Sequence, residues 1–377
     1  MITILQKNLF NALSLVGNTV QQNSVSEYLK CVLIKHFGKQ LKFQTTNMDA
    51  STEAVCQDFQ GNLEYDICVN FQDLFFIIKK YESDEELMLA VKMENNAKYL
   101  TLSRNNRSFA ELPTLDPLYF REILNIEDVD SKIVFHKEDL RNAIEKTHFC
   151  VYPNEKRYNI NGLHFNFQSA NKKIDVVSTD GHRLAKFEIE DAELKSDAKI
   201  TIPRSIVGGI KKDIHNAHSE IIFKIKGGKL QIDFGSHILT TKLIDADLGF
   251  PDYKRVIPKD CNATIKIQKP SFLPALDRVH SVALKDTVPR VVMNFQNNEL
   301  SMSCNDNQKK AMELLECEFG DTHYFDVNAL YIQECLQGIS SKNFEISVKQ
   351  GDSNYPIQIQ DSEDKRFLYV VMPMKNQ

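Results

Sequence analysis

No Cys-x-x-Cys pair occurs among the eight cysteines of this 377-residue chain (Cys31, Cys56, Cys68, Cys150, Cys261, Cys304, Cys317 and Cys335). No histidine spacing completes a zinc site with them either. The expectation is buried, reduced thiols in a cytoplasmic protein, with no metal and no cofactor. No run of 18 apolar residues exists, which excludes a membrane-spanning helix of ordinary length. The opening "MITILQKNLF" lacks a basic region followed by a long apolar one, so it does not read as a secretory signal. A Gly-rich phosphate loop and low-complexity tracts are missing as well. Positive charge is not in surplus: 46 Lys and Arg face 51 Asp and Glu, for a net charge of −5 and a pI near 6.1. That balance argues against a chain coated with basic charge, as a tight free-standing nucleic-acid binder would be.

What is present is a 42% hydrophobic content, enough for packed cores in two to four domains. The densest polar cluster is "VVSTDGHRLAKF", residues 176–187. It places Ser178, Thr179, Asp180, His182 and Arg183 within six positions. The β-branched run Lys173–Val177 precedes it, and Ala185, Phe187 and Ile189 alternate with Lys186 and Glu188 after it. Asp180-Gly181 between them is a tight-turn dipeptide, so the cluster sits on a hairpin tip. A hydrolase using Ser178, His182 and Asp180 is the enzymatic alternative. A triad, however, needs its base oriented from across the fold, which neighbours on one strand do not supply.

The hairpin has relatives. "LKFQTTN" (Leu41–Asn47), "IDVVSTD" (Ile174–Asp180) and "LSMSCND" (Leu300–Asp306) share an alternating strand that ends in turn-forming residues. "LFNAL" (Leu9–Leu13), "LRNAI" (Leu140–Ile144) and "FLPAL" (Phe272–Leu276) share the i, i+3, i+4 apolar spacing of a helix face. Pro274 is read within the first turn of its helix. Val69–Lys80, Ile202–Lys212 and Val327–Leu336 read as second helices. Three patterns in one order, each with a period near 125–133 residues, predict three copies of one domain. The expected borders give domains 1–129, 130–253 and 254–377.

With "TDGHRLA" (Thr179–Ala185), "GFPDYKRVIPK" (Gly249–Lys259) and "YVVMPMK" (Tyr369–Lys375), the whole chain resembles the bacterial DNA polymerase III beta subunit family, the sliding clamps. The resemblance implies an α+β fold of three repeated clamp domains, each with two helices packed on antiparallel sheets. It implies a head-to-tail homodimeric ring that encircles double-stranded DNA without reading its sequence and catalyses nothing. It further implies a pocket for short linear motifs of the replicative polymerase, the clamp loader and repair proteins. From the hairpin side, Ile160, Thr179, Gly181, His182, Arg183 and Leu184 would form it. Pro251 and Val256 would come from the second motif, and Val370, Val371, Met372, Pro373 and Met374 from the tail. No membrane partner is implied.

The six expected helix windows hold ten positive and seven negative residues, +3 net, which leaves −8 for the rest of the chain. Lys79, Lys80, Arg204, Lys211, Lys212 and Tyr158 are the DNA-facing candidates; the alternative for the cations is solvated helix ends. Phe109, Val282 and Leu284 are the candidates for the dimer contact. A second alternative is a monomeric repeat scaffold with no DNA role. The chain departs from the family pattern at Gln22–Leu29, where Asn23 stands in place of an expected arginine. It departs again at Tyr158-Asn159, in place of a tyrosine pair, and at Lys375, in place of arginine.

Overall fold

A computed structural model describes residues 1–104, 108–120, 126, 129–151, 157–283, 289–306 and 309–375, apart from the side chains of Ser108, Phe109, Ala283 and Asp306. The order of elements repeats. The first round runs β1 (Ile2–Leu5), α1 (Gln6–Val16), β2 (Cys31–Phe37), β3 (Gln40–Thr46), β4 (Ala50–Cys56), a short β5 (Phe59–Gly61), β6 (Ile67–Asn70), α2 (Phe71–Ile78), β7 (Glu86–Glu94), β8 (Ala97–Arg104) and β9 (Ser108–Leu115). The second runs β10 (Ser131–His136), α3 (Lys137–Glu145), β11 (Gly162–Gln168), β12 (Lys173–Thr179), β13 (Arg183–Ile189), β14 (Ala198–Pro203), α4 (Arg204–His215), β15 (Glu220–Lys226), β16 (Lys229–Asp233) and β17 (His237–Lys242). The third runs β18 (Ala263–Gln268), α5 (Lys269–His280), β19 (Arg290–Gln296), β20 (Glu299–Asp306), β21 (Lys309–Glu316), β22 (Thr322–Asn328), α6 (Ala329–Gln337), β23 (Asn343–Val348), β24 (Ile357–Asp361) and β25 (Phe367–Val371).

The sheets cross the borders of these rounds. Residues 1–137 and 208–243 form one compact unit around a sheet in the order β10-β15-β16-β17-β4-β3-β2-β6-β9-β8-β7-β1-β5. Residues 138–207 and 244–377 form the other. It holds the sheet β14-β11-β12-β13-β25-β24-β23-β18 and a four-stranded sheet β21-β20-β19-β22. All paired strands are antiparallel.

In the first unit α1 buries Leu9, Ala12, Leu13 and Val16, the stripe read from the sequence. They join Phe43, Val69, Leu74 and Leu89 in one core. Each of the valine, leucine and phenylalanine side chains contributes about 1.5–3 kcal/mol by burial, so Leu13→Ala would remove a large part of the margin of the fold. α1 has no side-chain N-cap. Its first amides instead bond to the carbonyls of Glu85 and Ser83, at 2.8 and 3.1 Å.

The starts of all three second helices, and of α5, differ from the sequence reading. The second helices begin at Phe71, Arg204 and Ala329, and the residues read as their first turns complete strands β6, β14 and β22. Asn70 and Asn328 set two of these boundaries, because their side chains accept the amides of Gln72 (2.9 Å) and Leu330 (3.0 Å). Pro274 lies in the helix interior, since α5 starts at Lys269 and Pro270 takes the early position that suits proline. Seven cysteines are buried and Cys261 is half-buried. No helix among the described residues is long and apolar enough to cross a membrane.

Candidate functional site

The "TDGHRL" stretch closes the hairpin between β12 and β13 in the second unit. Asp180 organises the turn. Its Oδ1 accepts the amides of His182 and Arg183 at 2.9 and 3.0 Å, and its Oδ2 accepts Arg183 Nε at 2.9 Å. Gly181 alone of the Asp180-Gly181 pair has positive φ, +84°. A Cβ there would meet the Arg157 guanidinium nitrogens at 2.6 Å, while Arg157 Nη2 donates to the Asp180 carbonyl at 2.7 Å. Any other residue would strain the backbone and displace that arginine.

The end of the chain lies against this hairpin. β25 pairs with β13 with Arg183 opposite Val371 and Leu184 opposite Val370. The strand pairing carries on into the tail, where the Met372 amide donates to the His182 carbonyl at 2.9 Å. The Met374 amide donates to Asp326 on β22 at 2.8 Å. Leu184, Val370, Val177 and Tyr253 form one buried cluster, with Phe250 and Ile257 packed on it. The loop that carries Pro251 and Val256 is thereby fixed to the same sheet. Tyr253 hydroxyl donates to Asp175 Oδ2 at 2.6 Å and accepts from Asn166 at 2.9 Å. Burial beside Asp175 raises the Tyr253 pKa, so the phenol keeps its proton. Asn159 Nδ2 reaches the Gly249 carbonyl at 3.1 Å, which places Ile160 and Pro251 at the same end.

The residues named from sequence occupy two levels. Ile160, Arg183, Leu184, Val370 and Val371 are buried. Gly181, His182, Pro251, Val256 and Met372 are exposed, Val256 by 51% and Met372 by 43%, and Thr179, Pro373 and Met374 are half-buried. The result is an apolar floor with exposed apolar side chains on both flanking segments, a surface that suits aliphatic or aromatic anchors.

Arg183 faces inward. Besides Asp180 it pairs with Glu334 on α6, donates to the Phe149 carbonyl at 3.1 Å and stacks over Tyr331 at 4.1 Å. Glu334, Tyr331, Tyr253 and Phe250 were not singled out from sequence. Tyr253 and Phe250 lie within the quoted "GFPDYKRVIPK", but the α6 residues carry no local signature. The hydrolase alternative does not assemble: Ser178 is fully buried and donates to the Thr147 carbonyl. The Asp180 carboxylate takes the backbone amide of His182.

Lys79, Lys80, Arg204, Lys212 and Tyr158 are exposed, and Lys211 is half-buried. Val282 is half-buried in the turn after α5. Leu284 lies outside the described residues; Phe109 falls on β9, with its side chain outside them.

An antiparallel fold in which one element order recurs three times, with a hairpin and the last strand meeting in an apolar surface, defines a class of repeat-built α+β proteins. The family models for the DNA polymerase III beta subunit match this chain over residues 135–252 for the central domain and 254–375 for the C-terminal domain. A beta sliding clamp of Caulobacter vibrioides is 25% identical over 99% of both chains, and one of Vibrio cholerae is 27% identical over 77% of both. The crystal structure of the C. crescentus beta sliding clamp superposes with a TM-score of 0.91 at 25% identity, covering 100% of this chain and 99% of that one. The chain belongs to the DNA polymerase III beta subunit family, the sliding clamps.

Proposed function

We propose that this chain is a non-catalytic sliding clamp of bacterial DNA replication, working in the cytoplasm. Two copies close head to tail into a ring around duplex DNA. Short linear motifs of the replicative polymerase, the clamp loader and repair proteins dock where the β12–β13 hairpin meets the tail. The division into domains 1–129, 130–253 and 254–377 is part of the same proposal. It is supported by the threefold recurrence of element order and by the limits of the two family models.

The observation that carries the reading is the joining of β13 to β25, which brings "TDGHRL" and "VVMPM" to one surface in a chain of this family. Charge fits the mode of DNA holding. Exposed Lys79, Lys80, Arg204 and Lys212 supply weak, sequence-blind attraction on a chain of net −5. Topology, not affinity, then keeps the ring on DNA. Loaded on a nicked circle by a clamp loader, the protein is expected to stay bound and to slide off once the circle is linearised. Retention on linear DNA with free ends would overturn the topological reading.

A further inference from the structure

In each compact unit a strand pair crosses a repeat border, and the two pairs are built alike. Ala50–Ala54 of β4 face His237–Thr241 of β17 in the first unit, as Arg183–Phe187 of β13 face Phe367–Val371 of β25 in the second. Internal bonds fix which residues correspond. Asn47 Oδ1 accepts the amides of Asp49 and Ala50 as Asp180 Oδ1 accepts those of His182 and Arg183. Thr46 faces Ser51 as Thr179 faces Leu184. Beyond the paired strands, the Lys242 amide donates to the Asp49 carbonyl at 2.9 Å, as the Met372 amide donates to that of His182. The first unit therefore carries the same junction of hairpin and strand that forms the docking surface in the second.

The residues at corresponding positions differ in chemistry. Ser51 stands for Leu184, Thr240 for Val370 and Lys242 for Met372. Gln44 stands for Val177, since it faces Glu53 as Val177 faces Lys186. Ser51, Thr240 and Gln44 are buried, as Leu184, Val370 and Val177 are, so they make a floor and not a solvated sheet face. Gln231 Nε2 donates to the Thr240 hydroxyl at 3.5 Å, and Gln44 donates to Glu53. The Ser51 hydroxyl has no hydrogen-bond partner among the described residues. Lys242 is exposed but tied down: its Nζ donates to the Met48 carbonyl at 3.0 Å and lies 3.8 Å from the Asp49 carboxylate. The apolar cluster of Cys31, Leu33, Cys68 and Phe120 begins only on β2, where Leu33 faces Gln44.

We infer that Ser51, Thr240 and Lys242 close the first junction to hydrophobic motifs, and so confine docking to the β13–β25 junction at one motif per chain. The inference rests on the docking reading above. An aliphatic or aromatic anchor set over Leu184 and Val370 meets hydrocarbon. The same anchor over Ser51 and Thr240 would cover hydroxyls and return no hydrogen bond. At the rim, the Met372 side chain adapts to an anchor. Lys242 would have to leave the Met48 carbonyl and the Asp49 carboxylate to make room. Exclusion of this kind selects between two surfaces of one backbone design by penalising the wrong one, without any added attraction at the right one.

The test transplants the residues of one junction into the other and counts bound peptide. The probe is a labelled Gln-Leu-x-Leu-Phe-like peptide carrying a benzophenone, so that the occupied hairpin is also marked by photo-cross-linking. The unmodified chain is expected to bind one peptide per chain and to cross-link at residues 174–187. Ser51→Leu with Thr240→Val and Lys242→Met is expected to bind two, the second cross-linking at residues 44–53. That second site should be roughly thirtyfold weaker than the first, because the contact made by Val256 is not transplanted. A folded triple variant that still binds one peptide overturns the inference. So does an unmodified chain that already cross-links at residues 44–53. An unmodified chain that binds no peptide sinks the docking reading itself, and this inference with it. Should the triple variant fail to fold, the reverse exchange decides. Val370→Thr with Met372→Lys is expected to weaken binding at least roughly thirtyfold. Unchanged affinity there, beside a loss in Met372→Ser with Met374→Ser, overturns the inference and leaves the docking reading standing.

Discussion

The guanidinium of Arg183 lies 4.1 Å above the ring of Tyr331 and pairs with Glu334 one helical turn further along α6. It is also bonded to Asp180, so one buried cation joins the hairpin tip to the helix beneath it. Arg183→Ala leaves Asp180 buried with only its two backbone donors. The expected loss is about 3 kcal/mol, the low end for breaking a buried pair because Glu334 is partly solvated. Arg183→Lys should recover little, since an ammonium cannot reach a carboxylate, a carbonyl and a ring face together. Urea denaturation of the two variants checks this; a full recovery by lysine would reduce the residue to its charge.

Tyr253 is the second anchor of the site. Tyr253→Phe removes the 2.6 Å bond to Asp175 and the 2.9 Å bond from Asn166. Asp175 keeps Gln168 at 2.9 Å and Lys186 at 3.1 Å, so it does not become an unpaired charge. The expected cost is about 1–2 kcal/mol, with the loop at Pro251–Val256 loosened. Faster amide exchange at Val256, whose amide bonds to Tyr253, is the specific readout.

His164 gives the pH dependence. It is buried, stacked on Phe250 at 4.3 Å and bonded to Thr201 at 2.9 Å. Burial, helped by Lys199, lowers its pKa to about 4, and Asp175 opposes only in part. The unfolded chain therefore takes up a proton near pH 6.5 that the folded chain refuses. Stability from this group is complete above about pH 6.5 and is lost as pH falls toward 4, in total roughly 3 kcal/mol. His164→Gln should flatten that part of the stability–pH curve. An unchanged slope between pH 6.5 and 4 would assign the acid limb to other groups.

The sequence made the repeating elements legible because both their signals are local. The helix faces rest on i, i+3, i+4 spacing and the hairpin tips on turn residues, and α1, α3 and α5 bury the apolar stripes read for them. The first residues of the second helices were misassigned because Val69, Ile202 and Val327 fit either period. Only the capping bonds of Asn70 and Asn328 decide two of these cases. Pro274 was placed one turn too early because Pro270 already filled the tolerated position. The inward turn of Arg183 was not legible, since Glu334 is 151 residues away. Met312 and Leu314, exposed by 65% and 52%, were likewise overlooked. Alternating residues on a strand look the same whether the far edge is free or paired.

The tail makes the sharpest test of the proposed docking site. Met372 is 43% exposed and Met374 half-buried, while Val370 and Val371 are packed in β25. Deleting Val371–Gln377 would therefore confuse loss of binding with loss of folding, because a buried valine contributes about 1.5–3 kcal/mol. Met372→Ser with Met374→Ser leaves the strand intact and keeps the backbone bonds to His182 and Asp326, which need no particular side chain. Methionine at such a surface adapts to differently shaped anchors, a property serine lacks. The expected result is a folded dimer, unchanged in retention on circular DNA, that binds a Gln-Leu-x-Leu-Phe-like peptide at least roughly thirtyfold more weakly, since an anchor contact often carries 2 kcal/mol or more. Fluorescence anisotropy with a labelled peptide measures it. Equal affinity in the double variant would move the docking site away from this end of the chain, and the floor formed by Leu184, Val370 and Tyr253 would then be structural only.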